Sequence, residues 1–103
     1  MWLSYQHREL RKVCFAIPNG GSRHVVEAAN LKRQGVTPGV PDVFCAIPLH
    51  GYNGLFIEFK SEKGKTSDNQ DKMIDMLNNV GYKCVVCYST DEGKRAFEEY
   101  CNV

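Results

Sequence analysis

Two neighbouring stretches decide the fold, residues 39–47 (Gly-Val-Pro-Asp-Val-Phe-Cys-Ala-Ile) and residues 54–60 (Gly-Leu-Phe-Ile-Glu-Phe-Lys). Both are rich in β-branched and aromatic residues, which are typical of strands. The six residues between them include proline, glycine and asparagine, which are typical of turns. The pattern therefore predicts a β-hairpin. Three charged residues interrupt these otherwise apolar strands: Asp42, Glu58 and Lys60.

A hairpin that is symmetric about Gly51 predicts which residues lie opposite one another. Because side chains alternate between the two faces of a strand, the three charges share one face at the open end of the hairpin, and the other face is apolar. The predicted apolar pairs are Val43 with Phe59, Cys45 with Ile57, and Ile47 with Leu55. The predicted pairs on the charged face are Asp42 with Lys60, Phe44 with Glu58, and Ala46 with Phe56.

Two carboxylates and an ammonium group at one strand end suit a hard cation. Mg²⁺ prefers oxygen ligands, takes one or two carboxylates from a protein, and keeps waters that a substrate phosphate can replace. Asp42 and Glu58 supply the carboxylates, and Lys60 would orient a water or offset charge on a phosphorane. The alternative is an ordinary salt bridge between Asp42 and Lys60 with Glu58 at a solvated edge. The apolar neighbours favour the metal site, because buried ionisable groups are costly without a compensating ligand.

Length and composition indicate one ordinary globular domain. The chain has 103 residues, 43% hydrophobic and 24% charged, with a net charge of +1, so any interaction with nucleic acid must be local. No apolar run approaches the roughly 18 residues that span a bilayer, and the N-terminus has no signal-peptide pattern. We therefore expect an intracellular, cytoplasmic protein with no membrane partner.

The five cysteines are predicted to be reduced core residues, because they are odd in number and irregularly spaced. Cys84 and Cys87 match the C-x-x-C pattern, but residues three apart in a strand point to opposite faces, and no second pair completes a zinc site. Core packing is the favoured interpretation. The other cysteines are Cys14, Cys45 and Cys101.

Before the hairpin, residues 13–17 form an apolar run that predicts a strand, and residues 18–21 predict a turn. Ser22 can cap a helix that ends at Arg33, before a glycine. Three basic residues on this helix suit contacts with phosphates, although a solvated helix face explains them equally well. They are Arg23, Lys32 and Arg33.

After the hairpin, residues 67–70 (Ser-Asp-Asn-Gln) match a capping box and predict a helix over residues 68–80. Residues 83–88 predict a strand, and residues 89–92 open a last helix. The order is strand, helix, hairpin, helix, strand, helix. Helices that cross between strands of one sheet indicate an α/β fold with a mixed sheet flanked by helices.

This chain resembles the PD-(D/E)xK nuclease superfamily, because Asp42 is followed by Glu58-Phe59-Lys60 on a paired strand. Within that superfamily it closely resembles the virus-type replication-repair nuclease (VRR-NUC) branch. The likeness implies a restriction-endonuclease-like mixed sheet and a single domain over residues 1–103. It extends in order along most of the chain, through residues 15–21, 31–36, 38–42 and 58–60, Gly64 and Gln70.

The resemblance also implies roles for individual residues. Asp42, Glu58 and the Phe59 carbonyl would hold Mg²⁺, with Mn²⁺ as a substitute, and Lys60 would be the catalytic lysine. Gln70 would arrange the site or touch the substrate. Gln70 is interpreted equally well as the capping-box partner of residue 67, and this structural role is compatible with a role in the site.

The implied activity is metal-dependent hydrolysis of DNA that leaves a 5′-phosphate. Stand-alone members resemble dimeric Holliday-junction resolvases, so branched DNA, a homodimer and a role in repair or recombination are expected. The N-terminal helix that usually carries a glutamate into the site is apparently shortened, and Glu9 or Glu27 is a candidate substitute. The alternative function is a non-catalytic module for branched-DNA binding or dimerisation, with an incomplete nuclease site.

The loop after the second hairpin strand contains Gly64-Lys65-Thr66, where a Walker A phosphate loop would lie. That loop requires a glycine five positions before Gly64, where Phe59 stands, so nucleotide binding is excluded on this motif. Lys63 and Lys65 are interpreted either as contacts to DNA phosphates or as solvated charges, and the pattern favours neither.

Overall fold

The computed structural model describes residues 9–18, 35, 37–61 and 63–102. Residues 9–11 are helical and lead directly into the first strand. The predicted helix between Ser22 and Arg33 lies outside the described residues. The described strands and helices, in chain order, are β1 (Cys14–Ala16), β2 (Val43–Cys45), β3 (Leu55–Phe59), α1 (Asp68–Asn79), β4 (Lys83–Cys87) and α2 (Thr90–Cys101).

The four strands form one mixed sheet in the order β1-β2-β3-β4. The first two pairings are antiparallel, and β3 pairs with β4 in parallel. Parallel neighbours need a crossover connection, and α1 provides it. This architecture confirms the predicted α/β fold. None of the helices within the described ranges is long and apolar enough to cross a membrane.

The hairpin register differs from the predicted one by two residues. Val43 lies opposite Ile57 rather than Phe59, and Cys45 lies opposite Leu55 rather than Ile57. On the other face, the predicted pairing of Phe44 with Glu58 is also wrong, because Phe44 lies opposite Phe56. A shift of two residues preserves the face of every side chain, so the separation into an apolar and a charged face is correct.

The turn between β2 and β3 accounts for part of this shift. His50 and Gly51 both have positive φ, 55° and 84°, and the Tyr52 N–H donates to the Leu49 carbonyl at 2.8 Å. The turn is therefore centred between residues 50 and 51, rather than on residue 51. Beyond it, the Asn53 N–H donates to the Gly81 carbonyl at 2.7 Å. The chain leaving the turn thus bonds to the segment before β4, and the hairpin is asymmetric.

One face of the sheet packs against α2 and forms the core. Leu55 has no exposed surface there. The Tyr100 hydroxyl donates to the Ile47 carbonyl and accepts from the Leu49 N–H at 3.3 Å, which fixes the hairpin loop to α2. All five cysteines carry free thiols, as predicted. The buried core residues are Cys45, Ile47, Leu55, Ile57, Cys87, Phe97, Tyr100 and Cys101.

The opposite face carries a cluster of aromatic rings. Phe44 stacks on Phe56 with ring centroids 4.5 Å apart, and Tyr82 meets both rings edge-on. Phe15 on β1 adds an edge contact to Phe44 at 5.7 Å. Because side chains alternate along β3, Glu58 projects from this same face, two residues beyond Phe56. The aromatic cluster therefore forms an apolar surface next to the charged residues.

Candidate active site

Glu58 is the buried charged residue of the described chain, and only 3% of its surface is exposed. It lies near the end of β3, on the face that carries the aromatic cluster. Its Oε2 accepts hydrogen bonds from Gln70 Nε2 at 3.0 Å and Lys60 Nζ at 3.3 Å. Its Oε1 is buried and has no hydrogen-bond partner among the residues that the structure describes. A buried carboxylate oxygen without a partner is costly, so Glu58 Oε1 is a candidate donor to a cation.

Asp42 lies beside Glu58, not opposite Lys60 as the symmetric hairpin predicts. The observed register, continued one residue beyond β2, sets Asp42 opposite Glu58. Asp42 Oδ2 accepts a hydrogen bond from the Phe59 N–H at 2.9 Å, and the Asp42 carbonyl accepts one from the Ile17 N–H at 2.7 Å. The carboxylate is thus held by the backbone of β3, while its own backbone is tied to the end of β1.

Desolvation dominates the electrostatics of the site. Burial raises the pKa of the Glu58 carboxyl above its ordinary value, and the negative charge of Asp42 raises it further. The hydrogen bond and positive charge of Lys60 oppose this shift without cancelling it. The Lys60 side chain is one-fifth exposed, so its ammonium group lies between the buried carboxylate and solvent. A second positive charge beside Glu58 and Asp42 would stabilise both carboxylates.

Gln70 joins the site to the first turn of α1. Its side-chain Oε1 accepts the Ser67 N–H at 2.9 Å, and its own N–H donates to Ser67 Oγ at 3.2 Å, which completes the predicted capping box. Because Oε1 faces the helix cap, Nε2 faces Glu58 and donates to its Oε2. One amide therefore makes both contacts, and the cap determines which end of the amide reaches the carboxylate.

Gly39 holds the segment before Asp42 against the same helix turn. A Cβ at this position would lie 2.6 Å from the Asn69 carbonyl oxygen, and Gly39 has a φ of +88°. Only glycine fits both the contact and the conformation. Sequence reasoning missed this residue, although a glycine between two prolines just before Asp42 was the available signal.

Phe59 is the third residue expected to contribute a ligand, through its carbonyl. Its ring lies on the α2 side of β3, where it packs so closely on Gly93 that a methyl group there would overlap it. The Lys60 N–H after it donates to the Cys87 carbonyl at 2.8 Å. The strand end that carries Phe59 is therefore held by both α2 and β4.

Three of the remaining predicted residues lie within the described ranges. Lys63 and Lys65 are exposed in the loop between β3 and α1. Glu9 is exposed and pairs with Lys12 at 3.1 Å. Four further candidates lie outside the described residues: Arg23, Glu27, Lys32 and Arg33.

The donor set fits Mg²⁺ better than a softer metal. Across the described ranges there is no group of three or more histidine, cysteine, aspartate or glutamate side chains that could hold a metal ion. Asp42 and Glu58 supply two carboxylates, which is the number that Mg²⁺ usually takes from protein. Glu58 Oε1, which has no hydrogen-bond partner in the described part of the chain, could supply an oxygen to such an ion.

The mixed sheet and its crossover helix form an α/β fold that carries a carboxylate pair on one face. The VRR-NUC domain model matches residues 2–91, so the chain belongs to the VRR-NUC family, and the resemblance seen in the sequence is confirmed. A solved structure described as a VRR_NUC domain protein is similar, with a TM-score of 0.75 and 31% identity. The similarity covers 89% of this chain and 70% of that one. None of the curated proteins matches.

Proposed function

We propose that this chain is a Mg²⁺-dependent DNA endonuclease that hydrolyses phosphodiester bonds as a single domain over residues 1–103. One observation carries the proposal, in a chain with a nuclease-type fold. A buried glutamate, one oxygen of which has no partner among the described residues, lies beside a second carboxylate and a lysine. Mg²⁺ or Mn²⁺ would be held by Asp42, Glu58 and the Phe59 carbonyl. The bound ion would polarise the phosphoryl group and lower the pKa of a water.

Lys60 is the proposed catalytic residue of the polypeptide. Its ammonium lies 3.3 Å from Glu58 Oε2 and is partly exposed, so it can reach a phosphate that approaches from solvent. There it would orient the attacking water and offset the negative charge that develops on the phosphorane. Gln70 donates to Glu58 Oε2, so Oε1, which has no partner among the described residues, would be the oxygen that holds the ion.

Branched DNA, and the four-way junction above all, is the proposed substrate. Symmetric cleavage of two strands requires two active sites, so we propose a homodimer. The exposed Lys63 and Lys65 follow the catalytic strand directly and would contact DNA phosphates on one side of the site. A monomeric mass in light scattering at micromolar concentration would contradict the dimer.

The decisive experiment incubates the protein with Mg²⁺, Mn²⁺ or EDTA and with four-way junction, flap, linear duplex and single-stranded DNA. We expect cleavage of the junction with either metal and none in EDTA. Preferential cleavage of flaps would identify a flap nuclease instead. Binding to junctions without cleavage under every condition would favour the non-catalytic module.

Lys60→Ala tests the catalytic assignment. We expect cleavage to fall by roughly 10²–10³-fold, since a positive charge at the transition state is lost, while junction binding changes little. Lys72→Ala is the matched control, because Lys72 is an exposed lysine on α1. An undiminished cleavage rate in Lys60→Ala would contradict the assignment.

A further inference from the structure

Two cysteines face each other across the first antiparallel pair of the sheet. Cys14 in β1 lies directly opposite Cys45 in β2. Both belong to the face that packs on α2, so they lie on the opposite side of the sheet from Glu58. The nuclease mechanism uses neither thiol, so the chemistry of this pair is independent of the proposed function.

The hydrogen bonds on either side show which kind of antiparallel pair this is. The Ala46 N–H donates to the Val13 carbonyl at 3.0 Å, and the Ile17 N–H donates to the Asp42 carbonyl at 2.7 Å. Hydrogen-bonded and non-hydrogen-bonded pairs alternate along an antiparallel ladder, so Cys14 and Cys45 form a non-hydrogen-bonded pair. In such pairs the Cα atoms are about 4.5 Å apart, which lies within the range of about 4.4–6.8 Å that a disulfide spans.

The surroundings give a small reagent access to this pair. Cys14 is only half-buried, although Cys45 is 1% exposed. A cavity of about 180 Å³ is lined by both cysteines and also by Arg11, whose side chain is exposed. A hydrogen bond from the Cys45 thiol lowers the pKa of Cys14, which favours its thiolate, the reactive form.

We propose that Cys14 and Cys45 are a modification site, a dithiol that a hydroperoxide oxidises to an intramolecular disulfide. The Cys14 thiolate attacks one peroxide oxygen and the O–O bond breaks, which gives a sulfenic acid and, after protonation, one water from hydrogen peroxide. The Cys45 sulfur then attacks the Cys14 sulfur, the S–O bond breaks, and a second water leaves with the thiol proton. Two thiols lose two electrons, and the peroxide is reduced to two waters.

Cys101 is the main competitor for this bond, since it is buried in the same core cluster as Cys45. It lies on α2, however, and no strand register sets it opposite either thiol. Cys84 and Cys87 are on β4, which is separated from β2 by β3. The strand pairing therefore selects Cys14 with Cys45 from the possible combinations.

The experiment treats the folded protein with hydrogen peroxide, blocks remaining thiols by alkylation, and maps the linkage by tryptic digestion and mass spectrometry. Trypsin places the two proposed partners and their competitors in different peptides. Cys14 falls in residues 13–23 and Cys45 in residues 34–60. The competitors fall in residues 84–94 (Cys84 and Cys87) and 96–103 (Cys101). We expect a species that joins residues 13–23 to 34–60, with a loss of about 2 Da for the two hydrogens removed. Reduction should restore all five alkylation sites.

Two variants serve as controls. Cys14→Ser should abolish the linkage, and Cys14 is half-buried on β1, at one edge of the described sheet, where we expect serine to be tolerated. Cys84→Ser is the matched control, since it removes a cysteine outside the pair and should leave the linkage intact. Three results would overturn the proposal. They are a linkage to residues 96–103 or 84–94, a disulfide between two chains, and alkylation of all five thiols after peroxide treatment.

Discussion

The two faces of β3 differ in what they contribute to the molecule. On one face, Leu55 and Ile57 are almost fully buried against α2, with Phe97 and Tyr100. On the other, Phe56 and Glu58 are also buried, but the glutamate has a raised pKa and one oxygen without a hydrogen-bond partner within the described ranges. Residues that alternate along a single strand thus have opposite effects, because one face stabilises the fold and the other leaves a carboxylate incompletely satisfied.

This difference indicates how a small domain can tolerate an unfavourable site. The buried carboxylate lowers the free energy of unfolding at one position, while burial of side chains on the apolar face raises it and stabilises the sheet. Substitutions on the α2 face should therefore reduce stability without altering the chemistry of the site. Substitutions on the Glu58 face should change stability less, and in one case should increase it.

The largest effect is expected on the apolar face, for Phe97→Ala. Removing a fully buried ring should lower the free energy of unfolding by about 3–5 kcal/mol, a large part of the stability of a typical domain. Phe15→Ala is the matched control, because Phe15 is 52% exposed and should lose only about 1 kcal/mol. Urea denaturation measures both. Equal losses in the two variants would contradict the assignment of the core to this face.

An intermediate effect is expected where the Asp42 segment meets α1. Gly39→Ala should lower the free energy of unfolding by about 2–3 kcal/mol, since it adds both φ strain and a clash with Asn69. Gly35→Ala isolates the strain, because Gly35 has a similar φ of +92° but no atom of the described residues within 4 Å of an added Cβ. It should lose about 1 kcal/mol. Cleavage by the folded protein should fall for Gly39→Ala and not for Gly35→Ala, because only Gly39, of the two glycines, contacts Asn69 beside Gln70.

The smallest effect has the opposite sign. Glu58→Gln should raise the stability of the metal-free protein by about 1 kcal/mol, or its Tm by roughly 5 °C, because a desolvated negative charge is removed. The variant should gain nothing from Mg²⁺. The native protein should gain about 1.4 kcal/mol when Mg²⁺ is at roughly tenfold its Kd. Calorimetry with Mg²⁺ or EDTA measures both values, and equal stabilisation by Mg²⁺ in both proteins would exclude Glu58 as a ligand.

The stability difference between Glu58→Gln and the native protein depends on pH, because the pKa of Glu58 is raised in the native protein. The folded state binds the proton more tightly than the unfolded state, so the penalty is full above the folded pKa and disappears below the unfolded one. The Tm difference between Glu58→Gln and the native protein should therefore be largest at neutral pH. It should shrink as the pH falls into the ordinary glutamate range, and a difference that grows on acidification would contradict the assignment.

Local patterns in the sequence predicted much of the fold. The capping box at Ser67, both described helices and the strands on either side of α1 are confirmed, because each depends on neighbouring residues. The two faces of the hairpin were also predicted, since alternation along a strand needs no knowledge of the register. The gathering of Asp42, Glu58 and Lys60 followed from that alternation.

The features that could not be predicted depend on contacts between distant segments. The register was wrong by two residues because the turn is centred between residues 50 and 51 and the chain beyond it is asymmetric, with Asn53 bonded to Gly81, which a local turn pattern cannot show. The contact of Gly39 with Asn69 likewise joins segments that are thirty residues apart in the sequence. The orientation of the Gln70 amide needed both the helix cap and the position of Glu58.

The shared use of the Gln70 amide couples the formation of α1 to the assembly of the site. The amide can hold Glu58 Oε2 only while it also closes the first turn of the helix. Fraying of that turn would release the carboxylate, so the lifetime of the organised site is limited by local opening at the helix start. Hydrogen exchange at the Gln70 backbone amide therefore reports on the site itself, and ion binding at Glu58 should slow it.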